Sequence, residues 1–146
     1  MTPARVPWPN VSKLARVGFF TLLTANVMGS GSPAAEGEIV IGAAAVEPHV
    51  FHAVTGQRVE FVKRVDAPAH VEFGEDPRQH QVYQLPAIGP IWAIFHRPGT
   101  HPYVVHIYRD RGVAVLHGIV EVVDDPEHPW GPGTCGAVVM GECLEP

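Results

Sequence analysis

PGTHPYVVHIYRDRGVAVLHGIVEVV, running from Pro98 to Val123, holds two runs of β-branched and aromatic residues on either side of a short charged turn. Tyr103 to Ile107 and His117 to Val123 read as strands. Arg109-Asp110-Arg111 between them reads as a solvated loop of mixed charge, a better default for Asp110 than a specific contact. In an extended chain neighbouring side chains point to opposite faces, so Val105 and His106 part company. If Val105 faces the core, His106 faces solvent or a second site.

Working outward, the same punctuation recurs upstream. Glu38 to Val46 is a strand of small apolar residues, Val50 to Thr55 a second, and Arg58 to Arg64 a third, with Gly56-Gln57 as the turn between the last two. Ala69 to Phe73 follows, then a polar loop from Gly74 to His80, a short strand around Val82, and a strand from Ile91 to His96. No stretch sustains a helical period. Seven or so short strands broken by 15 glycines and 15 prolines predict an all-β Greek-key sandwich. Periodicity alone leaves its subtype open, an immunoglobulin-like sandwich included. Trp92, Tyr103, Phe61 and Phe95 are expected in the core, with Trp8 and Trp130 outside it.

The first 35 residues have a different character. Arg5, Lys13 and Arg16 precede an apolar run from Val17 to Met28 and a small-residue stretch from Gly29 to Ala35, the layout of a secretory signal peptide with cleavage near Ala34 or Ala35. An uncleaved anchor is the alternative, although spanning a bilayer takes about 20 apolar residues. The expected location is periplasmic or secreted. Residues 36–124 then form the domain and 125–146 a tail.

Removing that segment takes away three of the ten basic residues and none of the 15 acidic ones, leaving a net charge of −8 with histidine neutral. An acidic surface argues against nucleic acid; it fits cationic partners or metal ions, and the simpler reading is that it keeps an exported protein soluble. Both cysteines, Cys135 and Cys143, lie in the tail, where an oxidising compartment favours a disulfide. The alternative is a redox or copper-binding pair with Met140 as a soft ligand, but the spacing matches no C-x-x-C motif.

Three stretches carry a resemblance to a known family. Pro98 onward is similar to P-G-T-Y-x-Y-x-C-x-x-H followed by G-M-x-G-x-I-x-V, found in cupredoxins and in the last domain of multicopper oxidases. Val46-Glu47-Pro48 with Val54 to Phe61 resembles the opening F-x-P and V-x-x-G-x-x-V-x-F, with Val46 in place of the aromatic. Val65 to Val71 resembles N-x-D-x-x-x-H-x-V. The resemblance implies a cupredoxin-like Greek-key β-sandwich and gives His70 the place of the first copper-ligating histidine. It also implies that Val105 stands where the thiolate belongs, Tyr108 at the second histidine and Leu116 at the axial methionine. Blue-copper electron transfer depends on that Cu–thiolate bond, so this function is not expected here.

What remains is nine histidines: His49, His52, His70, His80, His96, His101, His106, His117 and His128. Imidazole is the commonest metal-ligating side chain and suits copper, zinc and nickel. Within the resemblance, His70, His106 and His117 share one end of the sandwich and are the candidate ligands, with copper as the expected ion. In the alternative arrangement His106 parts from a His70–His117 pair, because it alternates with Val105. His49 and His52 rank lower, since a spacing of three puts them on opposite faces of an extended strand. His101, at the place of an aromatic, is expected to be buried and hydrogen-bonded; His80, His96 and His128 are expected at the surface.

Catalytic patterns are missing from the sequence: there is no G-x-S-x-G elbow, no H-E-x-x-H and no glycine-rich phosphate loop. A non-enzymatic role is expected. Two readings follow: an exported copper-binding protein for transport, storage or delivery, or a metal-free cupredoxin-like accessory subunit of a larger periplasmic or membrane complex. In the second, Val105 and Leu116 extend the core.

Overall fold

The computed structural model describes residues 37–74, 81–131 and 133–144. The expected signal segment and His80 lie outside the described residues. Among those described, the chain runs through eleven strands and no helix: β1 (Gly37–Ile41), β2 (Val46–Glu47), β3 (Val50–Val54), β4 (Arg58–Lys63), β5 (Ala69–Phe73), β6 (Gln81–Gln84), β7 (Ile91–Phe95), β8 (Gly99–Arg109), β9 (Gly112–Val123), β10 (Ala137–Val139) and β11 (Glu142–Leu144). They form two sheets, in the orders β11-β10-β7-β4-β1-β2 and β3-β9-β8-β5-β6. The chain crosses between sheets after β2, β3, β4, β6, β7 and β9, as the expected all-β Greek-key sandwich requires. β1 with β4 and β3 with β9 pair in parallel, the rest antiparallel.

Alternation builds the core. Ala69, Val71 and Phe73 of β5 face Val105, Ile107 and Tyr103 of β8 from the same inner side, and all six are buried. From the opposite sheet Ile39, Ile41, Val59, Phe61, Ala93 and Phe95 close the space. Phe61 meets Phe73 and Tyr103 edge-on, with ring centroids 5.3 and 5.0 Å apart, the arrangement that sets a positive ring edge against a negative face. Tyr103 packs where β9 carries Gly118, and a Cβ there would lie 2.2 Å from the tyrosine oxygen. A glycine is thus required for Tyr103 to enter the core.

Several elements differ from the sequence expectation. β8 and β9 run four residues and five residues further toward the start of their strands, or to the turn, than the strongest β-forming residues suggest, and Asp110-Arg111 becomes a tight connection. Pro102 is accommodated because β5 pairs with β8 only from Tyr103 onward, leaving one edge of β8 free of partners at the proline. Glu38 to Val46 is not one strand: a turn closed by Gly42 N–H to Ala45 C=O divides it into β1 and β2. Trp92 is not in the core; it lies half-buried on the outer face, with the Arg58 guanidinium 5.2 Å from its ring centroid.

The tail adds structure of its own. β10 pairs with β7, Ala137 opposite Phe95, and β11 pairs back on β10 around a Met140-Gly141 turn. Cys135 and Cys143 are joined in the expected disulfide.

Candidate metal centre

The register of β5 against β8 decides what can assemble on the outer face. His70 sits opposite His106 and Val71 opposite Val105. Because Val71 and Val105 point inward, His70, Glu72, His106 and Tyr108 all point outward, on adjacent strands close enough for their side chains to meet. Two pleats that each hide one valine therefore bring two imidazoles and a carboxylate together.

Glu72 lies between the two rings. Its Oε1 accepts a hydrogen bond from His70 Nε2 at 2.8 Å and stands 3.2 Å from His106 Nδ1. The latter contact lacks hydrogen-bond alignment, so His106 Nδ1 is a buried polar atom with no hydrogen-bond partner, an arrangement that costs about 1–3 kcal/mol when nothing else satisfies the atom. The imidazole centroids are 4.8 Å apart. Tyr108 closes the far side: its hydroxyl is 3.1 Å from His70 Nδ1, and the two rings lie 5.3 Å apart. With Nε2–H given to Glu72, His70 Nδ1 accepts from the Tyr108 O–H, an assignment fixed by the partners.

The donor set fits a metal ion. One ligand atom from each of His70, Glu72 and His106 lies within 4.8 Å of the others, and small side-chain rotations bring such a trio to the roughly 2.0–2.2 Å bonds that late transition metals make with imidazole and carboxylate. Their side chains retain 13%, 18% and 25% exposure, enough for exchangeable ligands to reach the remaining positions. An ion on His70 Nε2 would leave Nδ1–H to donate to the Tyr108 oxygen, the kind of outer partner that orients a ligating histidine.

The other expected ligands fall elsewhere. His117 is on the same outer face, but it pairs with Val104, which in turn pairs with Glu72; two strand spacings, roughly 9–10 Å, separate it from the carboxylate. His52 points outward from β3 and pairs with Glu121 at 3.1 Å, while His49 is exposed in the β2–β3 turn. His101 Nε2–H donates to the Arg97 carbonyl at 2.7 Å and the ring packs on Phe95; it is hydrogen-bonded as expected, but half-buried rather than buried. Val105 is fully buried with Val71 and Leu116 on either side.

Glu72 and the orienting Tyr108 escaped the sequence reading. Glu72 was accessible in principle, since a residue two places after His70 on a strand must share its face. Tyr108, two places after His106, obeys the same rule.

No protein-family model and no curated relative matches the chain. Among solved structures it is similar to a Cu(I) form of an amicyanin variant, at 21% identity over 64% of this chain and 87% of that one with a TM-score of 0.48. It is also similar to a pseudoazurin from Sinorhizobium meliltoi, at 17% identity over 64% of this chain and 84% of that one with a TM-score of 0.42. A copper-containing nitrite reductase from Thermus scotoductus matches at 17% identity over 62% of this chain and 23% of that one, with a TM-score of 0.45. The two-sheet strand order given above makes this chain an all-β sandwich.

Proposed function

We propose that this chain binds one late divalent transition-metal ion, copper foremost, through His70 Nε2, His106 Nδ1 and a Glu72 carboxylate oxygen, and that it carries, stores or delivers copper outside the cytoplasm. The observation that carries this reading is the buried Nδ1 of His106, which makes no hydrogen bond and stands 3.2 Å from Glu72 Oε1; a bound cation satisfies that nitrogen. Copper ranks first because, for a given nitrogen and oxygen donor set, divalent affinity peaks at Cu(II). The similar amicyanin structure is a Cu(I) form and the similar nitrite reductase is copper-containing. Solvent access to the open positions suits exchange of the ion more than electron transfer. The Cys135–Cys143 disulfide agrees with an oxidising compartment.

The test is a Cu(II) titration of the untagged protein followed by electron paramagnetic resonance. One tight ion is expected with no intense blue colour, and His70→Ala or His106→Ala should each weaken it at least 10-fold while His117→Ala leaves it unchanged. Unchanged affinity and spectrum in both His70→Ala and His106→Ala would sink the assignment.

A second reading keeps the fold and gives up the metal. It is favoured by the core packing of Val105 and by the outward-facing Val113, Val115 and Tyr108, which are 50%, 48% and 43% exposed beside the His–Glu group. An apolar strip of that kind suits an accessory subunit covered by a larger partner. Metal-free protein co-purifying with such a complex would favour it.

A further inference from the structure

The tail brings two histidines to the lining of one cleft, at a place the outer-face site does not touch. His96, His128, Pro129, Trp130, Thr134, Cys135 and Val138 line a cleft of about 380 Å³. One wall comes from the end of β7 and the other from the segment between β9 and β10, so the cleft exists only where the tail folds back.

Both histidines are held in place by their backbones. His96 follows β7 and its N–H donates to the Gly136 carbonyl at 2.8 Å, with Arg97 N–H sharing the same acceptor at 2.9 Å. His128 is tied down through Thr55, a buried polar residue: the threonine hydroxyl donates to the His128 carbonyl at 3.0 Å and accepts from Asp125 N–H at 2.9 Å. His128 N–H in turn donates to the Asp125 carbonyl at 2.9 Å. The disulfide from Cys135 to Cys143 fixes the cleft's remaining side.

The imidazole of His128 is also fixed in its tautomer. Its Nδ1 is 2.9 Å from Asp125 Oδ2, while Asp125 Oδ1 accepts from Glu127 N–H at 3.0 Å. The His128 hydrogen bond, aided by that Glu127 N–H, holds the Asp125 carboxyl below the usual carboxylate range. With Nδ1 engaged by the carboxylate, Nε2 is the ring nitrogen left to meet a ligand. A carboxylate–histidine pair of this form is the arrangement that raises the basicity of a metal-ligating ring and sets its direction. The His96 side chain makes no hydrogen bond or ion pair among the described residues, and its ring lines the same cleft.

We propose that this cleft is a second metal site, taking a late divalent transition-metal ion through the imidazoles of His96 and His128, with Asp125 as a positioning residue and water in the remaining coordination places. Imidazole donors without thiolate suit Cu(II), Ni(II) or Zn(II) over calcium or magnesium. The proposal stands independently of the outer-face site and gives the tail a role: it completes the cleft.

The probe is Cu(II) added to the full-length protein carrying His70→Ala and His106→Ala, followed by tryptophan fluorescence, with Trp130→Phe identifying the local signal. One ion is expected per chain with saturable quenching that Trp130→Phe removes. Adding His96→Ala or His128→Ala should weaken binding at least 10-fold. Asp125→Asn, which keeps the Glu127 contact but not the charge, should weaken it by about 10–100-fold, the usual effect of losing such an outer partner. Binding unchanged by both His96→Ala and His128→Ala, or no saturable binding in the double variant, would overturn the proposal. If the outer-face reading alone fails, His70→Ala/His106→Ala protein binds copper as the wild type does and still loses it on His128→Ala.

Discussion

Val105→Cys puts a thiol at the position that the resemblance to cupredoxins equates with the copper thiolate, and the geometry predicts that no blue centre will follow. Residue 105 is fully buried between Val71 and Leu116 on the inner side of its sheet. His70 and His106 leave the same two strands on the opposite side. One ion must lie within about 2.0–2.3 Å of every nitrogen and sulfur that ligates it, yet an inner side chain points toward a second sheet roughly 10 Å away. The apolar surroundings also push a thiol toward its protonated form. The variant should therefore bind Cu(II) at the outer-face site as before, without an intense visible charge-transfer band. Its cost is structural: valine to cysteine trims a fully buried side chain on the scale of one methyl group, about 0.5–1.5 kcal/mol. For a domain of this size that lowers Tm by roughly 2–8 °C. Visible absorption with added Cu(II) and thermal unfolding measure both parts. An intense blue band in Val105→Cys would refute the reasoning, because it requires residue 105 and a histidine ligand to reach one ion.

Two further outcomes follow from the tyrosines. The Tyr103 hydroxyl is buried with no hydrogen-bond partner, and burial pushes its ionisation well above the ordinary range. Tyr103→Phe removes an unsatisfied polar group and is expected to stabilise the fold by about 1–2 kcal/mol, read as a higher denaturant midpoint at unchanged slope; a lower midpoint contradicts the assignment. Tyr83 donates to Gln81 Oε1 at 2.8 Å and approaches Glu142 Oε2 at 3.1 Å, linking β6 to β11. Burial first, then the Glu142 hydrogen bond and charge, push its hydroxyl from 10.0 up to about 12. A folded-state value above the unfolded one means that this contribution is complete below pH 10 and is lost as the pH rises toward 12. Denaturation across that window should show a shallower decline for Tyr83→Phe than for wild type, and equal declines would count against the linkage.

The sheet scaffold was legible because its core strands alternate cleanly: Val59 and Phe61, Val71 and Phe73, Val105 and Ile107 all face inward as written in the sequence. The tail was not, since three-residue strands such as β10 and β11 are too short to display a period. Their position is set by pairing with β7 and by the disulfide, both long-range facts. Trp92 misled for a related reason: an aromatic in a strand suits either face, and it was the pairing of β4 with β7 that set it beside Arg58 on the outside. In the candidate centre, His70 and His106 were visible as ligand types, but their meeting depends on the β5–β8 register, which no local pattern encodes. His117 shows the converse, a histidine close in sequence to the same hairpin yet one strand too far across the sheet.

One alternation therefore separates two questions that the sequence alone ran together. Along β8, Val105 decides what the inner face holds, a packed apolar side chain, and His106, its neighbour, belongs to the outward donor set proposed to bind metal. The first is a matter of packing, since a buried valine between Val71 and Leu116 leaves no donor there. The second is a matter of an outward donor set that Glu72 joins and Tyr108 orients. An apolar residue at position 105 is thus no evidence against metal binding on the outer face. The two faces should respond separately: changes at position 105 move stability with the copper spectrum intact, and changes at His70, Glu72 or His106 move copper affinity with the core intact.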